Sequence, residues 1–248
     1  GVLGSTSVGR RRGPGWVPNQ HGAWAMLATP LLVGVLASSP TWAHLALAPF
    51  WFAGYFAFFA TGLWLRSHRK ARYRPPVLAY GAVAAVLGLV VLLLDPGLVR
   101  WAPLFVVPLA VGLVASARRD DRSLWSGLAT SAGSSLMTLV AYDAGGGTDW
   151  TRAWLLTGVL AAYFAGTVFY VKTVIRERGS TGYLLASVLF HAAATVAMLW
   201  VSGWLVVVFA LLTVRAAVVP RLAPSPRAIG IGEVVATVVV AVTALLTA

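Results

Sequence analysis

From Val77 to Leu94 the chain runs without a charged residue, and Tyr80 is the one side chain in that stretch able to donate a hydrogen bond. As a helix it would span about 27 Å at 1.5 Å per residue, close to the roughly 30 Å of hydrocarbon in a bilayer. Lipid offers no partner to a bare N–H or C=O, so an apolar run of this length has to pair its backbone internally, as an α-helix does. Similar runs recur to the end of the chain, and alternate links between them are rich in arginine. Over 248 residues, 59% are hydrophobic, 10% are charged and the mean hydropathy is +0.82. That leaves too little polar side chain to cover a water-soluble globule. The absence of cysteine excludes disulfides, thiolate metal sites and cysteine nucleophiles.

The sequence predicts an all-α polytopic membrane bundle of about nine transmembrane helices. A basic cytoplasmic tail over residues 1–20 carries Arg10, Arg11 and Arg12 and precedes one transmembrane domain over 21–248. Expected spans are His21–Ala37, Thr41–Leu65, Val77–Leu94, Trp101–Ala117, Leu124–Tyr142, Trp154–Val174, Tyr183–Val201, one ending near Val219, and one from Ile229 onward. The short link Asp95–Arg100 makes spans three and four expected antiparallel neighbours. Ser131, Ser134, Ser135 and Thr138 with Gly127 and Gly133 mark span five as an interior helix, because small residues let backbones approach closely. The AGGGTDW segment after it reads as a flexible outer loop.

Charge fixes the expected orientation. With a cytoplasmic N-terminus, nine spans place all but Arg100 and Arg152 of the 19 cations on the cytoplasmic side. The C-terminus then lies outside, and the expected location is a bacterial inner membrane. The net charge of +12 is accounted for by this asymmetry, without nucleic acid as a partner.

The largest basic turn, RSHRKARYRPP from Arg66 to Pro76, holds Arg66, Arg69, Lys70, Arg72 and Arg74. KTVIRERGSTG after span six adds Lys172, Arg176 and Arg178. Enlarged turns after spans two and six resemble those of the UbiA-type intramembrane prenyltransferases. KARYRPPVLAYG, Lys70 to Gly81, is similar to the end of that family's first motif, and YVKTVIRERGSTG, Tyr170 to Gly182, to its second. The resemblance implies a UbiA-like arrangement in which both turns face one cytoplasmic cavity that holds a polyprenyl diphosphate. The family's metal-binding carboxylates fall here on Leu65, Thr61 and Phe58, and Glu177 alone survives in the second turn. Hard divalent cations need several oxygen ligands. A head group would therefore be held by arginine and lysine directly, with no metal site and no cofactor, and not by ordinary magnesium-dependent prenyl transfer. The opening PNQHGAWAM, Pro18 to Met26, is similar to that of the YwiC-like bacterial membrane proteins, and the basic turn followed by the RER turn fits the same family.

Candidate binding residues are Asn19, His21, Arg66, Arg69, Lys70, Arg72, Arg74, Lys172, Arg176 and Arg178, and candidate catalytic groups are His21 and Glu177. His21, at a helix start, reads as an acid/base group or phosphate contact, or as an interfacial histidine tied to a loop carbonyl. The basic turns read as a phosphate cradle or as plain positive-inside topology meeting lipid head groups. His191 is expected to hydrogen-bond hydroxyls such as Ser135 or Thr138, and Glu233 to sit near the last helix's N-terminus with an arginine partner. Asp120 and Asp121 are expected to neutralise their own turn. Three functions follow. The first is binding of membrane lipid, specifically a phosphorylated or diphosphate isoprenoid; if catalytic, the protein would be a prenyltransferase-like transferase. The others are a small transporter or exporter, and an accessory subunit of a membrane complex.

Overall fold

The computed structural model describes residues 13–18 and 22–248. Among these it contains nine α-helices and no strand: α1 (Ala23–Ala37), α2 (Trp42–Arg66), α3 (Arg74–Leu94), α4 (Ala102–Ala117), α5 (Leu124–Ala144), α6 (Trp150–Val174), α7 (Thr181–Ala197), α8 (Gly203–Val218) and α9 (Pro226–Thr247). Seven helical stretches are long and apolar enough to cross a membrane; α1 is shorter, and α5 is too rich in serine, threonine and glycine to pass on hydropathy. This is a multi-pass helical membrane protein.

Local chemistry sets the helix ends. Ser123, Ser180, Ser202 and Ser225 each accept a backbone N–H three residues on, satisfying a donor that an open helix start leaves bare. Asp149 does the same for α6. Pro75 and Pro76 fall in the first turn of α3, where a missing N–H costs nothing. The helix therefore starts at Arg74, three residues before the expected Val77. His68 and Arg69 take left-handed backbone at the end of α2, and Arg119 does so at the end of α4. These sharp reversals turn the chain without glycine.

Helix α5 lies at the centre, as its small residues foretell. It packs on α1, α4 and α6, and most of its second half is buried. A Cβ on Gly34 of α1 would stand 2.5 Å from the Thr138 carbonyl oxygen and 2.6 Å from Ala141 Cβ, so the two backbones touch there. On one side of this seam α2 packs against α3 and α4. On the other, α6, α7, α8 and α9 close a four-helix ring in which α6 and α8 each contact α7 and α9.

The structure departs from the expected arrangement at two places. Helices α3 and α4 splay apart from the 3-10 turn Pro96–Trp101 that joins them, leaving a cleft in place of an antiparallel pair. The loop after α5 is fastened: the Asp149 N–H donates to Tyr142 Oη at 2.7 Å, and Gly145 and Gly147 pass close to Ser38 and the Tyr142 ring. On the same face Arg100 grips Asp143 through Nε and Nη2 at 2.8–3.0 Å. Arg152 donates to the carbonyls of Ala37, Leu245 and Ala248, tying α6 to the ends of α1 and α9.

Candidate functional site

The basic face carries an open depression of about 650 Å³. Arg66 enters it from the last turn of α2, Lys172 from that of α6, and Arg176 and Glu177 from the turn beyond. The end of α2 and the turn after α6 therefore share one mouth, although α2 and α6 are not packing partners. The α4–α5 turn, Arg118 to Ser123, fills the space between them.

That turn builds most of the mouth. Left-handed backbone at Arg119 ends α4 and directs its Nε to the Arg66 carbonyl oxygen at 3.2 Å, on the last turn of α2 where carbonyls lack helical partners. Arg66 Nη1 in turn donates to both carboxylate oxygens of Asp121, at 3.1 and 3.2 Å. Asp121 thus neutralises α2, correcting the expectation that it serves only its own turn. Trp125 Nε1 holds Asp120 at 2.8 Å, and Lys172 Nζ holds the Arg122 carbonyl at 2.7 Å. Arg176 is exposed and makes no hydrogen bond among the described residues. The mouth is cationic, and three carboxylates, Asp120, Asp121 and Glu177, line it as well.

The other expected ligands stand apart from it. Arg69, Lys70, Arg72 and Arg74 are exposed beyond the end of α2 and do not line the depression. Arg72 lies 5.0 Å over the Tyr73 ring. Arg178 turns back to the Val174 carbonyl at 3.3 Å. Asn19, His21 and Arg10 to Arg12 lie outside the described residues. Among the described residues no three His, Asp or Glu side chains converge as a metal site.

Beneath the mouth a line of cavities follows α2 between α4 and α5. Arg66 and Asp121 also line the first, about 70 Å³, with Tyr55 and Phe58. Tyr55, Phe58 and Thr130 are shared with a second of about 70 Å³. Trp51, Gly54, Phe105 and Leu109 pass from that one to the apolar cleft between α3 and α4, about 370 Å³. From Leu47 to Arg66 this line covers about 28 Å of α2 at 1.5 Å per residue. Aromatic side chains separate its compartments, and Phe58 lies against Gly112 of α4, where a Cβ would meet the ring at 2.6 Å.

A second polar group lies inside the α6–α9 ring. Glu233 of α9 forms an ion pair with Arg215 of α8, Oε1 to Nη1 at 2.9 Å. Its Oε2 accepts from Tyr163 Oη at 3.0 Å and Thr167 Oγ1 at 3.2 Å of α6. Tyr163 Oη also bonds Thr237 at 3.1 Å, and the Arg215 guanidinium stacks 4.1 Å over the Tyr170 ring. The expected arginine partner of Glu233 is therefore Arg215. His191 is not on the α5 hydroxyls: its Nδ1 donates to Ser187 O at 2.7 Å, and its Nε2 lies over Gly166, which leaves room for the ring. His44, on the opposite face, bonds Thr41 N and Ala141 O and ties α2 to α5.

Sequence reasoning missed Arg119, Arg122 and Trp125 at the mouth, and Tyr163, Thr167 and Tyr170 in the ring. The last three carried a signal, since polar side chains spaced four and three apart share one face of a helix.

Fold and mouth together define a helical membrane protein with a mixed-charge, net-basic opening above a row of small cavities that ends in an apolar cleft. The YwiC-like protein family model matches residues 17–142, and the chain belongs to that family. It is 28% identical over 202 residues to the uncharacterised protein YwiC of Bacillus subtilis, covering 81% of this chain and 84% of that one. It is 27% identical over 175 residues to an uncharacterised protein of Haemophilus influenzae, covering 71% and 74%. No solved structure matches the chain. The UbiA resemblance finds no support in these comparisons.

Proposed function

We propose that this protein binds an amphiphile with a phosphate-bearing head and one long apolar tail, of which a phosphorylated or diphosphate isoprenoid is the model compound. The head sits at the basic mouth against Arg66, Lys172 and Arg176, and the tail follows α2 toward the cleft between α3 and α4. The observation that carries this reading is the line of cavities running from the Arg66–Asp121 pair to the apolar cleft. A phosphate favours arginine because charge-assisted hydrogen bonds to it are short and strong. The aromatic cavity around Phe58 and Phe105 and the apolar cleft beyond it suit an alkenyl chain by the ordinary hydrophobic gain. In this reading the mouth faces the cytoplasm of a bacterial cell, in keeping with the bias of arginine and lysine to that side.

Native mass spectrometry of the detergent-solubilised protein with farnesyl diphosphate tests the reading. Retention of farnesyl diphosphate in preference to farnesol is expected, weakened in Arg66→Ala and in Arg176→Ala. Arg72→Ala, outside the depression, is expected to bind as the native protein does. Equal retention of farnesol and farnesyl diphosphate, or equal loss in all three variants, would overturn it.

A further inference from the structure

We propose that Glu233 is a proton-binding site inside the α6–α9 ring, with Arg215 as its fixed counter-charge. Glu233 lies about 10 Å along α9 from Pro226, well past the first turn where a carboxylate serves the helix dipole. Charged pairs at such depth are costly, add little stability, and in membrane helices mark proton and ion paths.

The pair is incompletely satisfied. One guanidinium nitrogen faces one carboxylate oxygen; Arg215 Nε and Nη2 find no hydrogen-bond partner among the described residues, and Oε1 has no donor in line. An ion pair kept for architecture alone would be expected to use the two-nitrogen fork that arginine offers a carboxylate. The partners present here suit both charge states of Glu233. Ionised, Oε2 receives the hydroxyls of Tyr163 and Thr167. Protonated, the acid meets the same hydroxyl oxygens as acceptors, and the Tyr163–Thr237 bond extends the chain of exchangeable protons. Arg215 stays placed by the Tyr170 ring, whatever the charge on Glu233.

Helices α1, α6 and α8 pack on α9, and Arg152 of α6 meets it only at its far end, on the Leu245 and Ala248 carbonyls. Helix α6 presents Tyr163 and, beyond Arg215, Tyr170; α8 presents Arg215; the described part of α1 has no titratable side chain; and His191 of α7 lies across the ring over Gly166. About a sixth of each of the two charged side chains remains accessible. The step is a simple protonation: a proton from water joins the carboxylate, one O–H bond forms, Arg215 keeps its charge, and the net charge of the cluster rises by one. Nothing in this step requires lipid at the mouth.

The chain has two glutamates, Glu177 and Glu233, so isotope-labelled glutamate in Glu177→Gln protein reports Glu233 alone. Infrared difference spectra of this protein in nanodiscs should show a label-shifted carboxylic-acid C=O band that grows on acidification and reverses, while circular dichroism stays native. Glu233→Gln should lose the band, and Tyr163→Phe should shift its midpoint and frequency. A labelled carboxylate signal that stays constant wherever the fold persists would overturn the proposal. So would a band indifferent to Tyr163→Phe, since that removes the hydroxyl the site is built on.

Discussion

Replacing Asp121 by alanine should strengthen binding of farnesyl diphosphate. In the free protein Asp121 occupies Arg66, so a phosphate head has to displace that carboxylate before it gains the guanidinium. The pair is a single nitrogen shared between two oxygens at 3.1 and 3.2 Å, with the side chains 42% and 21% exposed. Water and salt screen such a pair to about 1 kcal/mol or less. Its removal should therefore raise affinity by up to about fivefold, and by less as salt is added. Arg66→Ala should act the other way. A charge-assisted contact of about 1.5–3 kcal/mol is lost, offset by the roughly 1 kcal/mol no longer needed to break the pair. A weakening of about tenfold is expected. Titration by native mass spectrometry, or a thermal shift against ligand concentration, measures both. Should Asp121→Ala bind less well than the native protein, Asp121 orients Arg66 and does not compete for it; should Arg66→Ala bind as well as the native protein, Arg66 is not a ligand contact. Either result refutes the reasoning.

Other outcomes follow from the packing. Gly34→Ala places a Cβ against backbone atoms of α5 that cannot rotate away, and should cost about 1–3 kcal/mol in a denaturant or thermal titration. Gly158→Ala meets no atom within 4 Å and should be neutral or stabilising by up to about 1 kcal/mol. Arg152→Ala removes the donors held by Ala37 and Leu245 and should cost about 2–3 kcal/mol, with faster amide exchange at the end of α9. Binding of farnesyl diphosphate should fall as potassium chloride rises, because the mouth is open to solvent.

Membrane thickness and turn chemistry make the helices legible. Val77 to Leu94 has one way to hide its backbone, and the serine before each of α5, α7, α8 and α9 caps it in any tertiary setting. The interior place of α5 was legible for a related reason, since a helix with six serine and threonine hydroxyls and two glycines gains little from lipid contact. Partner choice was not legible in the same way. Whether α3 follows α4 or leaves a cleft depends on the angle set by Pro96–Trp101, and that angle has no hydrophobic signature. The mouth was half visible. Its cations follow from the rule that places arginine at one membrane face, but that rule does not say which of five neighbouring cations turns inward. Arg66, still on the α2 helix, points into the depression, whereas Arg69 to Arg74 follow the left-handed reversal at His68 and Arg69 out to solvent. Asp121 reached across to α2 because Arg119 ends α4 with a turn that brings the two helix ends together. In the ring, the sequence pointed to an arginine partner for Glu233 without saying which, and the closure of α8 on α9 makes it Arg215.

The central claim is that a lipid tail occupies the slot along α2 while its head rests at the mouth. Photocrosslinking with a farnesyl diphosphate analogue bearing a diazirine at the tail end, followed by peptide mapping, measures this directly. Label on slot residues such as Tyr55, Phe58 and Thr130, displaced by unlabelled farnesyl diphosphate, is the expected result. Label spread over the outward faces of α3, α8 and α9 and unaffected by competitor would contradict it.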